Sequence, residues 1–292
     1  MIMKKTTSIL LILISLIFAA GCKTKAVESQ DITLIYIDEK TINHFGTYPW
    51  TRDKYALFID AIYKKYNPKV VYFDIIIDLP SKETPQLDKK LFKSVKGKNN
   101  LVFCTALSDK EINNRHYKAF HIPKKQVVHT PVFSSNGGLF PLKEIVDNGG
   151  IVSISSLPPG VKGQYNNFPA VYDIKGHMYV STPIMLYSLY KNISVKNLKF
   201  SLNQMYANSQ KMPLNETGFI KINFNYSFKK FSYVSVIKGD VDSSLINNKI
   251  IIVGKNAIGL SVKFPTKVSL QFNGSELVAC ATQTLLYALK KK

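Results

Sequence analysis

Lys69-Val-Val-Tyr-Phe-Asp-Ile-Ile-Ile77 is the stretch on which the fold turns. Its apolar residues run almost without interruption, whereas a strand with one wet face alternates. An unbroken β-branched and aromatic run of this length reads as a central strand covered on both faces. Upstream, Ile32-Thr-Leu-Ile-Tyr-Ile-Asp38 is a second β-branched run, closed by an acid. Between the two runs, Tyr55, Phe58, Ile59, Ile62 and Tyr66 recur at helical spacing behind Thr51, which is placed as an N-cap, and Asn67-Pro68 stops the helix. Strand, helix and buried strand make a βαβ unit, the building block of right-handed parallel sheets.

Farther along, the spacing predicts helices over 87–95, 141–148, 183–191 and 276–290, the last with Val278, Ala281, Leu285 and Leu289 inward. Strands are predicted over 101–105, 219–224 and 249–254, the 219–224 segment near a sheet edge. Residues 108–136 carry little pattern and read as long loops. The expected fold is a single α/β domain with a mixed, largely parallel β-sheet flanked by helices on both faces.

The N-terminus opens Met1-Ile-Met-Lys-Lys5, followed by an apolar run to Ala20 and then Gly21-Cys22. A positive start, a short apolar core and a small-residue exit make a secretory signal, too short to span a bilayer. Ala19-Ala-Gly-Cys22 resembles the lipobox of bacterial lipoproteins, with Ala19 where leucine is usual. The resemblance implies lipid on Cys22. The expected organisation is a signal over 1–21, a lipidated flexible tether over 22–30 and a folded domain over 31–292. An ordinary cleaved signal with a chance cysteine is the alternative.

The chain carries a formal charge of +20, yet of its 39 basic residues only Arg52 and Arg115 are arginine. Lysine is a hydrated point charge and lacks the planar fork that grips phosphate in bidentate fashion. Export and the scattered lysines argue against nucleic acid and for a solvated surface, with attraction to anionic lipid or a cell-surface polyanion as the sharper alternative. Beyond Cys22 only Cys104 and Cys280 remain, which excludes a disulfide framework or zinc site. One bridge between them and two buried thiols both stay open.

Several spaced blocks share one order: Ile35-Tyr-Ile-Asp38, then Phe45-Gly-Thr-Tyr-Pro-Trp-Thr-Arg52, then Pro68-Lys-Val-Val-Tyr-Phe-Asp-Ile75. Phe231 to Gly239, Asn248-Lys-Ile-Ile-Ile-Val-Gly254 and Asn273-Gly-Ser-Glu-Leu-Val-Ala279 follow. In that order they resemble the CHASE2 domain, an extracytoplasmic sensory module of bacterial receptors, from about Ile32 to Leu289. Two departures stand out. Lys162-Gly-Gln-Tyr-Asn166 lacks the acid and arginine that many members place mid-chain, and Val262 stands where the family tends to have an acid. Members usually continue into transmembrane helices and a cytoplasmic kinase or cyclase; here lipid is expected to take the anchor's place. The resemblance implies an unidentified small-molecule or cell-envelope ligand and a membrane-embedded signalling partner.

Asp38 and Asp74 fall at the C-terminal ends of predicted parallel strands, the edge at which open α/β sheets bind ligands. Paired there they could hold a cation or act as acid and base; capping backbone N–H groups is the plainer role. Trp50 could stack on a ligand or close the core. Asp38, Trp50, Arg52 and Asp74 are the candidate ligand-binding residues. The five histidines show no metal-ligand spacing, and neither a Walker loop nor a nucleophile elbow occurs. No cofactor, metal or catalytic residue is expected, and the chain reads as a binder and not an enzyme. A surface or periplasmic interaction protein that has lost ligand binding is the alternative, and a hydrolase using Asp38 and Asp74 a third reading.

Overall fold

A computed structural model describes residues 26–110, 117–208 and 210–288. The signal, Cys22 and His116 lie outside the described residues. The centre is a seven-stranded sheet built from β1 (Val27–Ile37), β2 (Val70–Phe73), β3 (Leu101–Ser108), β4 (Gly137–Leu139), β5 (Ile151–Ile154), β6 (Tyr226–Ser232) and β7 (Ile250–Lys255). Its order is β6-β1-β7-β2-β3-β4, with β5 also paired to β3. The pairs β6–β1, β1–β7, β7–β2, β2–β3 and β3–β5 are parallel, and β4 is antiparallel to β3. The smaller sheets pair mostly antiparallel; one joins His121–Ile122, His177–Val180, Val171–Ile174 and Phe133–Ser135. Parallel pairing therefore dominates the central sheet, the smaller sheets adding only the parallel pairs Val171–Ile174 with Phe133–Ser135 and Leu198–Ser201 with Val127–Val128, and the chain is mixed α/β.

Alternation in the strands sorts the core into two layers. Leu34, Tyr36, Tyr72, Cys104 and Ile252 face one side and pack with α5 (Thr182–Tyr190) and α7 (Gly274–Ala288). Ile35, Ile37, Phe73, Phe103 and Val253 face the other side, against α2 (Arg52–Lys65), α3 (Pro85–Val95), α4 (Lys143–Asp147) and α6 (Tyr233–Lys238). These strand side chains are almost wholly buried, each contributing about 1.5–3 kcal/mol on leaving water. Helices thus cover both faces, which explains the unbroken apolar runs.

Several boundaries differ from expectation. The first strand begins at Val27, inside the stretch expected to be tether, because Val27 and Glu28 pair with Tyr226 and Ser227 of β6. The 69–77 run is strand only over Val70–Phe73. Ile75 and Ile77 stay buried beyond it, and Ile77 accepts from the Leu142 N–H at 3.0 Å. An extra helix, α1 (Glu39–Phe45), follows the first strand at once. Among the described residues, 117–136 hold three short strands that join the smaller sheets through distant partners, among them Val127–Val128 beside Phe200–Ser201. Phe219–Lys221 pairs with Asn167–Pro169 in a two-stranded sheet away from the central one. Among the described residues no helix is long and apolar enough to cross a membrane.

Candidate functional site

The C-terminal edge of the central sheet opens into a cleft of about 660 Å³. Its floor is Asp74 just past β2, Cys104 and Ala106 of β3, Lys255 at the end of β7, and Gly274 and Ser275 at the start of α7. Ser155, Pro158, Tyr48, Val262 and Phe264 are among its walls. The cleft therefore occupies the strand-end crevice where open α/β sheets place ligands.

Asp74 accepts two side-chain hydrogen bonds at this floor. Ser275 Oγ donates to one carboxylate oxygen at 2.7 Å and Tyr72 OH to the other at 3.1 Å. Burial raises the Asp74 pKa above the ordinary aspartate value, while these two bonds and the charge of Lys255 pull the other way without cancelling it. The Asn273 side chain accepts from the Ser275 N–H at 2.9 Å and donates to the Lys255 carbonyl at 3.1 Å, fastening the start of α7 to the end of β7. Lys255 Nζ lies 5.6 Å from the Tyr48 ring centroid. Cys104 Sγ and Ser155 Oγ are 2.9 Å apart, and burial drives the Cys104 pKa up to about 12. Cation, buried carboxyl, hydroxyls and apolar walls together suit a small polar molecule with an apolar portion. Burial favours the protonated thiol over the thiolate.

Of the four candidate residues, Asp74 alone lines the cleft. Asp38 caps α1, its Oδ1 accepting from the Thr41 N–H at 3.0 Å, Thr41 Oγ1 at 2.7 Å and Ser232 Oγ at 2.7 Å. Trp50 is a buried wedge among Phe45, Tyr48, Tyr55 and Tyr233, and its indole N–H donates to the Gly46 carbonyl at 2.9 Å. Arg52 joins α2 to the loop before α3: it donates to the Leu79 carbonyl at 3.0 Å and pairs with Asp88 at 3.5 Å. Thr51 occupies the cap position of α2, but its hydroxyl donates to Asp53 and does not cap the backbone. Lys255, Ser275 and Asn273 were missed as site residues. The signal for them was positional, since Lys255 ends an apolar strand and Asn273-Gly-Ser opens the last helix.

Cys104 and Cys280 are both buried and free, with burial raising the Cys280 pKa to about 12 as well. His121 meets a partner distant in sequence, with Nε2 2.7 Å from Tyr179 OH and its ring 4.5 Å from that of His177. Among the described residues no group of acids, histidines and cysteines could hold a metal ion.

The CHASE2 domain family model matches residues 11–292, essentially the whole chain, so the chain belongs to the CHASE2 domain family. Membership supports an extracytoplasmic sensory role and is consistent with export. Searches of curated proteins and of solved structures returned no match.

Proposed function

We propose that the chain is a lipid-anchored sensory domain, exported and held at the membrane through Cys22, that binds a small ligand in the strand-end cleft. It acts by binding and not by catalysis, and passes its state to a membrane-embedded partner. The observation that supports this most is the cleft, where Asp74 and Lys255 from two parallel strands meet the first turn of α7. A ligand there touches three separately anchored elements, so occupancy can shift how α7 sits on the sheet.

A thermal-shift screen of small metabolites, ions and cell-wall fragments tests the reading. A ligand at about 100 times its dissociation constant adds about 2.7 kcal/mol, a rise on the order of 5–10 °C. Loss of that rise in Lys255→Met places the ligand in the cleft; a rise unchanged in the variant removes the cleft reading. Labelled palmitate tests the anchor independently, since incorporation must vanish in Cys22→Ser.

The second reading, a surface interaction protein, is favoured by one feature. The loop between β7 and α7 exposes Ile258 at 93% and Leu270 at 79%. Apolar groups this exposed suit a protein contact. A screen without any shift, with partner capture lost in Ile258→Asp, would favour it.

A further inference from the structure

The opposite edge of the central sheet, where the parallel strands begin, gathers exposed lysines from several helix ends. The connections from β1 to β2, from β2 to β3 and from β6 to β7 bring α2, α3 and α6 back antiparallel to the strands, so their C-termini return to this edge, and a bond from Lys69 to Asn192 holds the end of α5 there too. They deliver Lys64 and Lys65, then Lys93 and Lys96, then Lys191 and Lys238. Lys69 and Lys249 precede β2 and β7, the Lys69 N–H donating to the Lys249 carbonyl at 2.9 Å. Lys69 Nζ also reaches Asn192 at 2.9 Å, just past α5, so these turns form one continuous face.

The acids of the edge are mostly occupied. Glu28 pairs with Lys229 at 3.1 Å. Asp31 is buried, accepting from Tyr190 OH at 2.9 Å and Gln283 at 3.3 Å. Asp242 caps the turn at Ser244 and is exposed, as is Asp240, so these two carboxylates stand against the lysines of this face. One lysine per helix would complement the helix dipoles. Two each on α2 and α3, with Lys69 and Lys249 besides, exceed that need.

Both ends of the described chain leave from this same face. Lys249 Nζ donates to the Gln30 carbonyl at 2.6 Å beside the start of β1, and Ser29 Oγ donates to Gln283 in the last turns of α7 at 2.6 Å. Past α7 the sequence continues to Lys290-Lys-Lys292. Cys22 is eight residues before Gln30, so even a fully extended link holds this edge within about 30 Å of a lipid on that cysteine.

We propose that this lysine edge is a membrane-docking face, resting on the anionic phospholipid headgroups of the membrane that carries the chain, with the cleft directed away from it. The orientation rests on the exported, lipid-anchored reading; the affinity for anionic lipid does not. Lysine point charges suit this partner, because attraction to a headgroup layer needs charge density within a Debye length of about 8 Å and no bidentate geometry.

The test is lysine acetylation of the full chain bound to vesicles of phosphatidylglycerol and phosphatidylcholine, or of phosphatidylcholine alone. Expected on the anionic vesicles is protection of Lys64, Lys96, Lys191 and Lys238, with Lys82, Lys263 and Lys267 at the cleft edge still modified. The variant Lys64→Glu/Lys96→Glu/Lys191→Glu/Lys238→Glu should lose the preference for anionic vesicles about tenfold or more. The control Lys82→Glu/Lys263→Glu/Lys267→Glu should keep it. Equal protection at both edges, or protection that does not depend on anionic lipid, overturns the proposal whether or not the first variant folds. Palmitate labelling at Cys22 reports on the anchor separately, so failure of the anchor and failure of the docking face are told apart.

Discussion

Ser275 reaches Asp74 at 2.7 Å because Gly254 leaves room for it: a Cβ built on Gly254 would lie 1.9 Å from Ser275 Oγ. The start of α7, the end of β2 and the end of β7 therefore meet at one point. Gly254→Ala must push α7 away from the sheet and break the Asp74 bond. Overpacking of this kind costs about 1–3 kcal/mol. A chemical denaturation curve should show that loss, and Ser275→Gly in the Gly254→Ala background should recover part of it.

Asp74 gives a pH dependence with a definite sign. Its folded pKa is raised by burial, so the protonated form is the one the fold prefers. Its stabilising contribution is full below the unfolded value near 4 and fades as pH rises through the folded value. Asp74→Asn keeps the shape without the charge, so the variant should melt higher than wild type at pH 7, by about 2–4 °C if the gain is about 1 kcal/mol. The gap should close toward pH 4. A variant that melts lower at pH 7 would mean that the carboxylate itself is needed there.

The two thiols should be silent in the folded chain. With pKa values near 12, the thiolate fraction of Cys104 and Cys280 at pH 8 is about a thousandfold below that of an ordinary cysteine. Iodoacetamide should leave both unmodified under native conditions and alkylate both in denaturant. Rapid native labelling of Cys104 would show that the cleft floor opens to solvent.

Much of this architecture was legible in the sequence, for a physical reason. Runs such as Val70–Phe73 and Ile250–Val253 are buried on both faces, so nearly every residue carries the signal. What stayed hidden is held by long-range pairing. Tyr226–Ser232 alternates because one face is wet, and its partner is the first strand of the fold, some 200 residues earlier. The short strands within 117–136 exist only through partners such as Phe200 and Tyr179. The site divides the same way. Asp74 could be placed because it ends a readable strand, whereas its link to Ser275 depends on how the last helix docks. Asp38 ends a strand too, yet the next residue begins α1, so its carboxylate turns to a cap.

Trp50 separates a ligand platform from a core wedge. It is 7% exposed and packs against Tyr233, which itself stacks on Phe58 at 4.2 Å. Trp50→Ala should cost about 3–5 kcal/mol in urea unfolding, as large aromatic deletions in cores do. Trp50→Phe should recover most of it while losing the bond to the Gly46 carbonyl. If Trp50 served the ligand instead, the alanine variant would keep its stability and lose the thermal shift.

Gln283 tests how the two ends of the chain are held together. Its side chain accepts from Ser29 Oγ and donates to Asp31, and all three residues are buried. Gln283→Ala takes the acceptor from the Ser29 hydroxyl and one donor from Asp31, which keeps the bond from Tyr190 OH, and an unsatisfied buried hydroxyl costs about 1–3 kcal/mol. Gln283→Leu fills the volume but still leaves the Ser29 hydroxyl without its acceptor, so it should recover little of the loss. Because the contact joins the start of β1 to the last turns of α7, hydrogen exchange should quicken at both places together. Faster exchange in α7 alone would mean that β1 is held by β6 and β7 without help from the helix, and that displacement of α7 by a ligand in the cleft need not reach the start of the chain.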